Sequence, residues 1–260
     1  MTNNGCHILF ILQPELALMK RIFASLGVIM LILIIGCKKQ VEIIGYPTGN
    51  DFYPFQVGKM YLYRLDSTVP GNFNTVLITK SYQAMDTVES TFMDNSGRLS
   101  YRIFRYLRDT AGRQPWRFAY TLVATPTTNQ IEFVEENFRF IKLHNPVKND
   151  FNWLGNSYID TRSSEYLYFD NWNYTYRDVG DSYTTSGIKY DSTATILQVD
   201  DFSPAGPFDP TLPYQQRNYS MEVYAKGIGL VYKDFLHWAW QGSAYEDGAY
   251  GVRLSLTGHN

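Results

Sequence analysis

Two short patterns in this chain hold the residue types that nucleophilic catalysis needs. Gly180-Asp181-Ser182 offers a hydroxyl beside a glycine, and Asp234-Phe235-Leu236-His237 places an imidazole three residues after a carboxylate. A serine becomes a nucleophile only when a base takes its proton and donors hold the oxyanion that forms. Gly-Asp-Ser is also an ordinary turn tripeptide, so the framework around it decides whether it means chemistry.

The two patterns together resemble the serine and histidine blocks of GDS-type esterases, which implies Ser182 as nucleophile and His237 as base. Those enzymes are α/β proteins with the serine block at the start of the domain. Here Ser182 comes late, and the sequence between the blocks reads as strands. The esterase therefore stands as an alternative, and no catalytic residue is assigned. Metal and thiol chemistry have less to work with. The two cysteines are Cys6 and Cys37, and beyond Cys37 the only histidines are His144, His237 and His259, none spaced as a metal pair. Asp200-Asp201 and Glu246-Asp247 read as solvated turns, and no metal or cofactor is expected. His237-Trp238-Ala239-Trp240 puts two indoles beside a histidine. Trp238 and Trp240 are the candidate ligand-binding residues, for a sugar or an acyl chain; packing in the core is their ordinary reading.

One cysteine carries a stronger signal. Lys20-Arg21 is followed by an uncharged apolar run of 14 residues, Ile22–Ile35, and then Gly36-Cys37. That run is short for a membrane span and fits a signal segment. The Gly-Cys junction resembles a bacterial lipobox, in which the cysteine is lipidated and becomes the first residue. Residues 1–36 are then a signal peptide, with Cys37 the lipid anchor. Met1–Leu18 precedes the basic pair; a start at Met19 is the favoured reading, and a long native n-region is the other. Residues 37–50 form a tether, in which Lys38 and Lys39 suit anionic headgroups. The expected location is the bacterial cell envelope at the outer membrane.

Loss of residues 1–36 removes Lys20, Arg21 and Glu15, which leaves 21 basic against 24 acidic side chains, a net charge of −3. So balanced a chain gives no footprint for nucleic acid. Residues 51–260 read as one domain without disulfides.

Aromatic residues make up 16% of the chain, and they sit in short runs with Val, Ile and Thr between Gly, Asn, Asp and Pro clusters. That pattern predicts antiparallel strands. They fall near Lys59–Asp66, Val76–Met85, Leu99–Arg108, Trp116–Ala124, Gln130–Glu135 and Phe138–Leu143. Six more fall near Ser164–Phe169, Asn173–Val179, Ser192–Val199, Asn218–Ala225, Gly229–Phe235 and Gly251–Thr257. Asp94–Gly97 and Asp109–Gly112 each begin with Asp and end with Gly, as hairpin turns do. Asp234–Gln241 reads as either a helix or a continuing strand. Ser203–Pro213 holds four prolines and reads as an exposed loop. Alternation in Val252-Leu254-Leu256 and in Tyr219-Met221-Val223 predicts one apolar face, with Ser220, Glu222 and Tyr224 on a wet face.

Three segments resemble uncharacterised lipoproteins of Bacteroidota. DFYPFQVGKMYLY (Asp51–Tyr63) is similar to their YYPLxVGNxWxY opening, with Met60 in place of Trp. Phe138–Leu143, Pro146-Val147 and Trp153–Asn156 are similar to RFIKLxFPVKxGxxWxGN, with His144-Asn145 in place of an apolar pair. Ala225–Tyr232 is similar to AxGIGLVYKE. The resemblance implies an anchored envelope β protein. The expectation is thus a single all-β antiparallel domain: an open or closed barrel, half-barrel carrier-like, or a β-sandwich. Its expected role is non-enzymatic, binding or structural. The expected partners are the membrane, through the lipid, and an envelope protein or hydrophobic ligand. A lipid or hydrophobic-ligand carrier and the Ser182–His237 esterase are the alternatives.

Overall fold

The computed structural model describes residues 45–260; Cys37, the signal segment and most of the tether lie outside the described residues. One compact unit runs from Tyr46 to Asn260. It opens with a single helical turn, α1 (Gly49–Phe52), and continues in fourteen strands. The first seven are β1 (Met60–Gly71), β2 (Val76–Met93), β3 (Leu99–Asp109), β4 (Arg117–Pro126), β5 (Gln130–Glu135), β6 (Phe138–His144) and β7 (Asn152–Leu154). After them come β8 (Asn173–Arg177), β9 (Tyr183–Thr185), β10 (Ile188–Tyr190), β11 (Thr193–Ser203), β12 (Gln215–Ala225), β13 (Gly229–Trp240) and β14 (Tyr250–His259).

Twelve strands form one antiparallel sheet in the order β6-β5-β4-β3-β2-β1-β14-β13-β12-β11-β8-β7, and β9 with β10 makes a small separate hairpin. The first and last long strands pair, Leu65 with Leu254. The free edges, β6 and β7, meet at a seam: Ile141 N–H donates to Gly155 C=O at 2.8 Å, and Trp153 Nε1–H donates to Ile141 C=O at 2.8 Å. Tyr176 hydroxyl accepts from His144 N–H and donates to His144 C=O, both at 2.9 Å. The sheet is therefore a nearly closed barrel, and its edges are covered rather than left as templates for pairing.

The turns form for the reasons their sequences give. Asp94 Oδ1 accepts from Ser96 and Arg98 N–H, and Gly97 takes φ +71°. Burial alternates along β1, where Tyr61, Tyr63 and Leu65 point inward, and along β14, where Leu254 and Leu256 do.

Two expectations change and one open choice is decided. Ser164–Phe169 is no strand: it belongs to a loop that ends in a 3-10 turn at Leu167–Phe169. Its aromatics pack as single anchors rather than as an alternating face. Asp234–Gln241 is strand as far as Trp240, because every residue from Gln215 to Tyr219 of β12 has a partner there. The face of β12 is also inverted: Ser220, Glu222 and Tyr224 lie inside, at most 2% exposed, because cations from other strands meet them there.

Candidate functional site

The barrel is filled at the end where the chain enters. Gly49 N–H donates to Asn145 Oδ1 at 2.8 Å, and Gly227 N–H donates to Asp51 C=O at 2.7 Å. These bonds aim Phe52 and Tyr53 into the barrel, where both are buried. Tyr53 stacks on Phe55 at 4.4 Å between ring centroids and tilts against Tyr61, Phe133 and Tyr224.

Midway up the interior stands a ring of four charges. Lys142 Nζ lies 2.7 Å from Glu222, and Lys233 Nζ lies 2.7 Å from Glu135. The crossed distances, Lys142 to Glu135 and Lys233 to Glu222, are both 3.6 Å. Beside it Arg105 grips Asp86 with two bonds of 2.6 and 2.5 Å. Three cations therefore face three carboxylates, and Tyr224 hydroxyl donates to the second oxygen of Glu222. Burial opposes ionisation of Glu135, but Lys142 and Lys233 outweigh it and hold the carboxyl well below its usual range. Burial likewise opposes charge on Lys233, and Glu135 and Glu222 outweigh it, raising the ammonium above its usual value. Beside these charges lies a chamber of only about 50 Å³, room for a few waters.

The opposite end is open. From Gly229, near the chain entry, β13 runs eight residues up to His237, about 26 Å at the usual strand rise. There a mouth of about 860 Å³ is lined by the strand ends and by the loop that precedes β8. Phe169 fixes that loop by burying itself against Phe138, Phe140, Trp172 and Phe235. Asn156 Nδ2–H donates to Phe169 C=O at 3.0 Å. Gly155 lets the loop leave the seam: a Cβ there would stand 2.3 Å from the Tyr174 ring.

His237 stands in the wall of the mouth. Its ring stacks on Tyr168, 3.8 Å between centroids at 12°. Nδ1 lies 2.6 Å from Asn218 Oδ1 and Nε2 lies 2.8 Å from Glu246 Oε1. Burial raises the hydroxyls of Tyr168 and Tyr250 above their usual values. The charged lining is acidic: Glu136, Glu165, Asp170 and Asp201 join Glu246, while Tyr166, Trp172 and Tyr214 add rings. No lysine or arginine lines it.

The residues singled out in the sequence fall in different places. His237 lines the mouth, with both ring nitrogens engaged away from Ser182. Ser182 is exposed, in the turn that Gly180 N–H and Asp181 N–H close onto Thr193 and Asp178. Trp238 and Trp240 alternate with His237 and so face outward. Both are 6% exposed, under Phe208 of the proline-rich loop and against Tyr245. Asp200-Asp201 is no turn but part of β11, paired with Tyr219 and Asn218, and Asp201 and Glu246 lie in the lining of the mouth. Among the described residues no cluster of His, Cys, Asp or Glu could hold a metal. Sequence reasoning missed Tyr168, Trp172 and Tyr250. The signal open to it was the density of rings in Tyr166–Trp172, of which the part to Phe169 was read as a strand.

Neither a family model nor a curated protein matches the chain. Among solved structures, a Bacteroides fragilis protein described as a candidate exported protein with a YmcC-like fold is similar at 10% identity. The match covers 80% of this chain and 99% of that one, with a TM-score of 0.39. A likeness that weak carries no argument about fold or role.

Proposed function

We propose that the chain is a lipid-anchored protein of the bacterial cell envelope, held at the outer membrane through Cys37, with a non-enzymatic binding role at the barrel mouth. The observation that carries the binding role is the contrast between a plugged entry end and an open mouth about 26 Å away along β13. Large rings around a concave site give contact area at low entropy cost. The geometry lends little support to a carrier of acyl chains inside the barrel, since the interior chamber is about 50 Å³. It lends as little to the esterase, since the His237 nitrogens are engaged by Asn218 and Glu246.

Two measurements test the reading. Cys37→Ala should accumulate as an unlipidated, uncleaved precursor in a metabolic palmitate-labelling experiment; normal labelling would overturn the anchor. For the mouth, a set of small envelope-derived sugars, amines and peptides is offered to the folded domain, residues 46–260, while its tryptophan fluorescence is followed. A response that disappears in Tyr168→Ala supports the site, and a response untouched by that change places binding elsewhere.

A further inference from the structure

We infer that the mouth selects a small hydroxylated organic cation, such as an amino alcohol or an amino sugar. The inference rests on the mouth being the binding site, and it adds the chemistry of the ligand.

The first observation is how differently this molecule treats carboxylates in its two polar regions. Inside the barrel, Asp86, Glu135 and Glu222 each meet a lysine or arginine. At the mouth five carboxylates line one cavity, and among the described residues none of them pairs with a lysine or arginine; Glu246 Oε1 lies 2.8 Å from His237 Nε2. Unmatched charges of one sign around low-dielectric walls concentrate the opposite charge in the cavity. The rings of Tyr166 and Tyr214 add faces that attract ammonium groups and pack on CH surfaces.

A second, independent observation lies below the mouth. The 50 Å³ chamber shares Glu136, Phe138, Trp172 and Tyr250 with the mouth, so the two spaces adjoin. Gln198 lines the chamber and is 2% exposed. Its carbonyl oxygen accepts from Ser220, while Nε2 has no acceptor. A buried donor without an acceptor is costly; the chamber beside it has room for water, and in the proposed complex a ligand hydroxyl reaching down from the mouth takes that place. Ammonium at the acidic rim and a hydroxyl oxygen above Gln198 describe one small ligand.

The test is calorimetric titration of the folded domain, residues 46–260, at low salt. The probes are choline and glucosamine, with glucose and N-acetylglucosamine as neutral counterparts of similar shape. The expected result is saturable heat with a cation, absent for the neutral sugars and weakened by added salt. In Glu136→Gln/Asp201→Asn the affinity should fall at least tenfold, while Asp191→Asn, outside the mouth, binds as wild type. Gln198→Leu should weaken the hydroxylated cations but leave tetramethylammonium unchanged, which separates the floor contact from rim charge. Circular dichroism melts of each variant confirm the fold. Neutral sugars that bind as well as the cations, or a charge-neutralised mouth that binds unchanged, would overturn the cation while leaving the mouth as a site. No heat with any cation overturns the inference. If Tyr168→Ala also leaves every fluorescence response intact, the mouth itself falls.

Discussion

At the entry end, Tyr53 lies against Phe55, Tyr61, Phe133 and Tyr224; at the mouth, Tyr168 lies on His237 beside Trp172 and five carboxylates. Both ends are built from rings, and the difference is in what the rings face. Below, rings face rings, and the nearest charges are paired. Above, rings and unmatched carboxylates face an open volume. Charge buried for structure is balanced in this molecule. Charge at the mouth has no lysine or arginine beside it, and like charges so placed repel one another.

The comparison breaks most sharply if the two sets of carboxylates prove alike in mutation. Glu222→Gln removes one partner from the buried ring and leaves Lys142 with a single, longer contact to Glu135. A loss of about 3 kcal/mol in urea unfolding is expected, as for other buried pairs deprived of one member. Glu136→Gln at the mouth should change stability by less than about 0.5 kcal/mol. Equal losses would mean that the mouth carboxylates are structural after all.

Acid should separate the two sets next. Glu135 is held below its unfolded value, so its contribution is present above about pH 4.3 and fades as pH falls toward its folded value. Lys233 is held above its unfolded value, so its contribution is complete below about pH 10.4 and fades only as pH rises further. The thermal midpoint should therefore be level from about pH 5 to 9 and fall below about pH 4. In Glu135→Gln the midpoint should start lower and the acid fall should be shallower. An unchanged acid limb would remove Glu135 as its cause.

The smallest effect sharpens the contrast in strain. At the tip of the β1–β2 hairpin, Asn72, Phe73 and Asn74 all take positive φ, from 49° to 63°. Phe73 is 96% exposed and is the bulky one of the three. Asn74 holds the tip beside the mouth: its side-chain nitrogen donates to Asp247 at 2.6 Å, and its C=O accepts from Tyr245 N–H at 2.7 Å. Phe73→Asn should raise stability by about 0.5 kcal/mol, since asparagine tolerates this backbone better. A loss on chemical denaturation would mean that the ring packs where the structure leaves it free.

Much of the frame was legible in the residues. Runs of aromatic and β-branched residues placed β1 and β3, alternation placed β12 and β14, and Asp-to-Gly spacing placed the turns at Asp94–Gly97 and Asp109–Gly112. Both signals are local, set by a two-residue side-chain period and by the φ that glycine permits. The loop Tyr166–Trp172 was illegible because its rings anchor at irregular spacing, so a window of sequence sees only aromatic density. The inverted face of β12 was illegible for another reason. Ser220, Glu222 and Tyr224 look wet until Lys142, 80 residues away, is seen to reach Glu222.

The sequence by itself determined an all-β chain, its turns, its near-neutral charge and the reading of Cys37 as an address. Each follows from residues close together in the chain. Closure of the barrel, the choice of its inner faces and the gathering of Glu136, Asp201, His237 and Glu246 at one mouth were decided only by tertiary structure. These depend on pairing between distant strands, where a register one residue different would exchange the inner and outer faces.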